Sequence, residues 1–234
     1  MSNKAFHIFE DDYRAKMSFP IQGKFKKGDW VKLDLSKDNP AISPKIFKSV
    51  EKFSEFINGT LQENKAKGAF GGYNENRKIY EKSDVFAGES KHRSIHLGMD
   101  FWIDAGTPVQ APLPGIIHSF GNNNNSGDYG PTIILKHYFG NEVFYTLYGH
   151  LSEKSLTLLK EGQVIQRKET IGFLGEPSEN VDWPPHLHFQ VIKDIGGYRG
   201  DYPGVCLKSE SDKFLQNSPD PLTIFGEPWK KILT

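Results

Sequence analysis

Between about residues 93 and 195 the chain never runs far without a glycine, a proline or a cluster of asparagines. That punctuation holds each regular element to a few residues and leaves no room for a long helix. The stretches between the breaks are strand-like. "GTPVQAPLPGIIHSF" (106–120) alternates apolar and polar residues around Gly and Pro, while "PTIILKHY" and "NEVFYTLYGHL" flank a Gly140-Asn141 turn. "GNNNNSGDYG" (121–130) reads as a polar hairpin loop, and "EGQVIQRKETIGFLGEP" (161–177) as a further hairpin. "GTPVQAPLPGII" and "GQVIQRKETIGFL" share a succession of Gly, polar residue, Val, turn and apolar strand. A sandwich of two similar three-stranded motifs would leave such an echo.

Ahead of this region the pattern differs. Val31, Leu33 and Leu35 alternate with polar neighbours, as in a strand. Ser43-Pro44 has the form of a helix start, and Ile46, Phe47, Val50, Phe53, Ile57 and Leu61 then recur at three- and four-residue steps. The spacing predicts one amphipathic helix over 44–66, its aromatic stripe serving packing. The chain thus divides into an N-terminal extension (1–80), a β-rich domain (81–195) and an irregular tail (196–234), rich in Gly, Pro, Asp and aromatics, packed on that domain.

Several functions are disfavoured by composition. Lys+Arg and Asp+Glu balance at 29 each, so nothing attracts nucleic acid or an anionic membrane. No window approaches the roughly 18 apolar residues of a membrane span. Cys206 is the single cysteine, which excludes an internal disulfide or a thiolate cluster. "MSNKAFHIFEDDYRAKM" has no apolar core or small-residue cleavage site. With Met1 as the native start this predicts a cytoplasmic protein; a removed leader would make it periplasmic or extracellular.

Chemistry concentrates in the histidines. "IHLGMDFWI" places His96 and Asp100 on one side of a strand, with Gly98 between them leaving room for something bound. "PHLHFQV" places His186 and His188 on one side, roughly 6–7 Å apart along a strand. Zinc–nitrogen bonds are about 2.0–2.1 Å, so one of this pair suits a ligand role and its neighbour a proton-handling role above the site. His96 and Asp100 fit as the other ligands. Three protein ligands leave a fourth position open, the mark of a catalytic zinc. His150, in "LYGHLS", is the further participant. His7, His92, His118 and His137 stand outside any such motif.

"HLGMD", "YGHLS" and "PHLHFQV", in this order over about residues 93–192, resemble the lysostaphin-type (LytM-type) zinc metallopeptidases, which cut peptide bonds in bacterial peptidoglycan. "GTPVQAPLPGII" resembles the segment that follows their first zinc motif. The resemblance implies a mainly β fold, a small antiparallel β-sandwich or barrel-sandwich hybrid with a groove walled by loops. It implies one zinc ion per chain held by His96, Asp100 and His188, with His150 and His186 as the catalytic histidines. The substrate would be a peptide or peptidoglycan. "GEPSENVDWPP" is longer than the usual turn before the second motif and carries Trp183, and the flanking segments look like a branch without export signals. Tyr129 and Trp183 are candidate groove residues, as are Asn122–Asn125. Asn74 is a candidate contact to the metal site from the N-terminal segment, as an Asn is in some latent members. The sequence thus predicts a zinc metalloendopeptidase acting on peptidoglycan cross-links or stem peptides. The rival readings are an intracellular zinc hydrolase of small peptides or amides and a non-catalytic binding module.

Overall fold

The computed structural model describes residues 17–77, 79, 87–88, 91–125, 127–157 and 159–233; His7 lies outside them. The architecture is mainly β. One eight-stranded sheet runs in the order β1-β2-β6-β13-β10-β9-β8-β11. In chain order these strands are β1 (Trp30–Lys32), β2 (Gly68–Gly71), β6 (Met99–Trp102), β8 (Gly115–Asn123), β9 (Gly130–Phe139), β10 (Glu142–Gly149), β11 (Val164–Ile165) and β13 (His186–Ile192). Three two-stranded pairs complete the set: β3 (Ala87–Gly88) with β4 (Lys91–His92), β5 (Ile95–His96) with β14 (Val205–Cys206), and β7 (Pro108–Gln110) with β12 (Thr170–Phe173). Among the described strands only β1 and β2 pair in parallel.

Every residue of β13 is buried, because it is a central strand covered on both faces. The side-chain period of two divides those faces. Leu187, Phe189 and Val191 join Met99 and Phe101 in the main core, with Trp229 of the C-terminal segment packed beneath them. Phe19, Phe101 and Trp229 meet edge to face at 5.2–5.9 Å between ring centroids, the arrangement ring quadrupoles favour. His186, His188, Asp100 and Trp102 fall on the opposite face, since His186 pairs with Trp102 and His188 with Asp100 across β13 and β6.

The amphipathic segment near residue 50 is helical, but not over 44–66. Ile46–Lys48 is a 3-10 turn and the α-helix, α1, runs Val50–Asn64. Ser49 is extended (φ −152°, ψ 161°) and its side chain accepts from the Lys52 N–H, so Ser49, not Ser43, caps the helix. Phe53 and Ile57 of α1 pack with Leu33, Leu35 and Trp102 over the face that carries the histidines.

Four further expectations are revised. His96 and Asp100 do not share one strand: the chain leaves β5 and enters β6 at Leu97-Gly98. Strand β8 continues through Asn123, since Asn123 Nδ2 donates to Thr132 Oγ1 and to the Gly200 carbonyl, so the loop before β9 is shorter than 121–130. β11 and β12 do not form a hairpin; β11 pairs with β8 and β12 with β7. The two echoing segments therefore pair crosswise, the first strand of each with the second of the other. Finally, the C-terminal segment is not irregular. It contains short helices α2 (Ser211–Asn217), α3 (Pro221–Phe225) and α4 (Glu227–Leu233). Each is too short to show periodicity; α3 is set by the Asp220 cap and Pro221 at its first turn.

His137 is a core histidine, as its lack of a motif suggested. Its Nδ1–H donates to the Pro114 carbonyl at 2.8 Å, and Nε2 lies 2.7 Å from Thr146 Oγ1. Burial pushes its pKa down to about 4, against about 6.5 in an unfolded chain. Its contribution to stability is therefore complete above pH 6.5 and is lost as the pH falls towards 4. Between pH 7 and pH 5 this one group should cost about 2 kcal/mol. Urea unfolding at both pH values in the presence of EDTA checks this. His137→Gln should be less stable at pH 7 yet lose about 2 kcal/mol less on acidification; an unchanged pH slope would exclude the assignment.

Candidate active site

Three ligand-type atoms converge on the groove face. His96 Nε2 lies 3.0 Å from His188 Nδ1, His188 Nδ1 lies 3.2 Å from Asp100 Oδ1, and His96 Nε2 lies 3.4 Å from Asp100 Oδ1. Bonds of about 2.0–2.2 Å to one tetrahedral zinc would separate its ligand atoms by about 3.3–3.5 Å, so the triangle matches one face of such a site.

The surrounding hydrogen bonds fix which atoms face inward. The Gly72 carbonyl can only accept, so His96 Nδ1 carries the proton donated to it at 2.9 Å, which leaves Nε2 with a lone pair. Gln190 Nε2 donates to the Pro203 carbonyl and bonds Ser218 Oγ. That orients Gln190 Oε1 towards His188 Nε2, 3.0 Å away, and leaves His188 Nδ1 unprotonated. Two imidazole lone pairs and a carboxylate oxygen therefore face one another, an arrangement that repels itself without a cation. The residues fit zinc, with the second nitrogen of each histidine tied down as metal-ligating histidines require.

Arg77 Nη1 donates to Asp100 Oδ2 at 2.7 Å, and Arg77 is also paired with Glu75. Burial works against the Asp100 carboxylate, but His96 and Arg77 outweigh it and hold its pKa well below the usual range. Burial, then the Arg77 charge, pushes His96 down to about 4.

Two more imidazoles stand beside the triangle. His186 donates from Nδ1 to the Pro184 carbonyl at 2.7 Å and stacks on Trp102, which leaves Nε2 as its acceptor. His150 closes β10 in a left-handed conformation (φ 61°), its N–H bound to the Tyr129 carbonyl, and its ring centroid lies 4.0 Å from that of His186. Burial lowers both, His186 to about 4 and His150 well below its ordinary value, so both are neutral at pH 7.

The groove has unlike walls. Leu35, Phe53, Ile79 and Trp183 form an apolar side, and Asp128, Tyr129, Asp201 and Tyr202 a polar one. The Trp183 ring lies 5.8 Å from His150 and 6.0 Å from His186. It is carried there by Val181 and Asp182, both at positive φ, unusual for residues other than glycine and most so for a β-branched one. The Tyr129 hydroxyl lies 3.5 Å from His188 Nε2. The structure thus brings together His96, Asp100, His150, His186, His188, Tyr129 and Trp183. It does not bring in Asn122–Asn125, which do not line the groove. Nor does it bring in Asn74, whose side chain is exposed in a left-handed turn while its N–H donates to the His96 carbonyl. Sequence reasoning missed Gly72, Glu75, Arg77 and Gln190. Gln190 was discoverable, as the third same-side residue after His186 and His188.

Asp100 from β6, His188 from β13 and His96 from the short β5 thus converge on one point in a β-sheet groove, an arrangement suited to a metallopeptidase. Residues 94–199 match Peptidase family M23. The DD-carboxypeptidase/endopeptidase Mpg of Neisseria meningitidis serogroup B is 33% identical over 126 residues, covering 52% of this chain and 26% of that protein. Lysostaphin of Staphylococcus staphylolyticus is 38% identical over 116 residues, covering 49% and 22%. Among solved structures, the lysostaphin catalytic domain of Staphylococcus simulans aligns with a TM-score of 0.44 at 24% identity, over 74% of this chain and 96% of that one. Residues 94–199 are therefore similar to the Peptidase family M23 domain, and the relatives of that region include lysostaphin. The chain spans about a quarter of the length of these curated relatives. Among the described residues no helix is long and apolar enough to cross a membrane.

Proposed function

We propose that this protein is a zinc-dependent metalloendopeptidase that cleaves peptide bonds in peptidoglycan cross-links or stem peptides. The observation that carries this reading is the inward-facing triangle of His96 Nε2, Asp100 Oδ1 and His188 Nδ1 with two neutral histidines beside it. The relatives support the substrate class, since they include proteins named as a peptidoglycan DD-endopeptidase and a glycyl-glycine endopeptidase. Zinc held by the triangle would polarise the scissile carbonyl and lower the pKa of an attacking water towards about 7. His186, anchored through Nδ1, presents Nε2 as a proton acceptor, and His150 stands against it as the second proton carrier. One takes the proton from the water and one returns a proton to the leaving amine. Tyr129 and Trp183 flank the bound peptide on the two walls, and the apolar wall excludes water from the reacting bond.

Metal analysis and turnover test this together. Purified protein should hold about one zinc per chain, release fragments from purified peptidoglycan and lose activity on chelation. Less than about half a zinc per chain, with no turnover after zinc is added, would sink the enzyme reading. Cleavage of short peptides with no release from peptidoglycan would move the substrate to small peptides.

A further inference from the structure

The region matched to the peptidase family begins at residue 94, yet two of the three inward-facing side chains are held by residues that precede it. His96 is oriented by the Gly72 carbonyl and Asp100 by the Arg77 guanidinium. We propose that residues 72–77 are a working part of the metal centre and that Arg77 is its positioning residue, fixing Asp100 through Oδ2 so that only Oδ1 faces His96 and His188. This inference rests on the zinc reading above.

Four observations carry it. Arg77 and Asp100 are each almost wholly buried, at 3% and 2% side-chain exposure, with 2.7 Å between them. A buried carboxylate with one oxygen in a charge-assisted hydrogen bond has a fixed rotation about its last bond. Arg77 is itself fixed, because Glu75 pairs with it through Oε2 while Glu75 Oε1 accepts from the Leu35 N–H at 3.0 Å. The turn is also built around the guanidinium. Gly72 sits at φ +97°, and a Cβ there would lie 2.0 Å from Arg77 Nη2 and 3.0 Å from His96 Nδ1. Only glycine can both adopt that backbone and leave space for the two side chains. Lastly, the strand that delivers this turn is part of the main sheet: β2 pairs with β6, and Gly71 is opposite Asp100.

A single electrostatic consideration runs the other way. A guanidinium close to a divalent cation repels it, so removing Arg77 would tighten zinc if repulsion dominated. Arg77 bonds the carboxylate rather than facing the triangle, and the carboxylate charge lies between. Losing a second-layer partner of a metal ligand costs about 10–100-fold in affinity, so positioning prevails.

The full chain is stripped with chelator and titrated with zinc against a chromophoric competitor, and its cobalt(II) form is read in the visible. Arg77→Met should bind zinc about 10–100-fold more weakly and alter the cobalt bands, which report ligand geometry. Arg77→Lys, keeping a charge without the fork, should fall between it and the parent protein. A folded Arg77→Met with parental zinc affinity and cobalt spectrum would overturn the proposal. Should Arg77→Met fail to fold, Arg77→Lys is read by the same two measures, and parental values there overturn it equally. A parent protein that takes up no zinc removes the metal reading and this inference with it.

Discussion

Replacing Gly98 with alanine should lower zinc affinity about 10–100-fold and turnover about a hundredfold or more, with little loss of fold stability. The added Cβ would lie 2.5 Å from both Cε1 and Nε2 of His188 and 2.9 Å from the Phe189 carbonyl oxygen. Contacts that short do not persist, so something must move. The Phe189 carbonyl belongs to β13, a central strand buried along its whole length. The His188 ring is tied through Nε2 to Gln190, whose amide is held by Pro203 and Ser218. The ring is the softer partner and must yield, taking Nδ1 out of the triangle. A misplacement of about 1 Å in a reacting group costs about a hundredfold in rate. The backbone supplies no further penalty, because Gly98 does not adopt positive φ. Zinc affinity by chelator competition and the melting temperature in EDTA separate the effects. A Gly98→Ala protein with full zinc binding and full turnover would mean that His188 does not occupy the position described.

Gly98 also shows how sequence and structure divide the information. The pattern H-x-G-x-D puts a residue without a side chain between His96 and Asp100, which implies room for something bound. That room is occupied by the ring of His188, ninety residues further along the chain. Periodicity gives the side of a strand on which a residue lies, but not which distant strand fills the gap. The same limit hid the support. His186, His188 and Gln190 lie on one face by the period of two, so part of the site was legible. Arg77 stands in "GYNENRKIY", which has no periodicity and no pattern marking Arg77 itself, and the role proposed for it arises only because β2 docks beside β6. Asn74 was the residue of that segment with a chemical precedent. The turn that starts at Gly72 sends it outward and Arg77 inward.

The fold was legible where the signal was local. The hairpin of β9 and β10 about Gly140-Asn141 follows from its turn residues and alternation. The pairing of β11 with β8 and β12 with β7 does not, since both partners lie far apart in sequence and adjacent strands normally pair first. The C-terminal helices were hidden because each is shorter than two turns of reliable periodicity. Their anchor, Trp229, is fixed by a tertiary contact, its Nε1–H donating to the Ser18 carbonyl.

The second large effect distinguishes ligand from proton carrier. His96→Ala should abolish both zinc binding and turnover, because it removes one corner of the triangle and leaves Asp100 and His188 facing each other alone. His150 should behave differently. Its ring approaches His186 rather than the triangle, so its loss should spare the metal and cost about 10²–10⁴ in turnover, the range for a removed acid–base group. Alanine is a poor choice at this position. His150 sits at φ 61°, where an ordinary L-residue costs about 1–2 kcal/mol and asparagine much less. His150→Asn is therefore the cleaner variant, since it preserves the β10 terminus and the backbone bonds to Tyr129 and Gly175. Zinc content, chelator competition and single-turnover rates on peptidoglycan separate the two roles. Full activity in His150→Asn would remove His150 from proton handling. Loss of zinc from that variant would place His150 among the ligands, and the triangle would then be one residue short of the true coordination set.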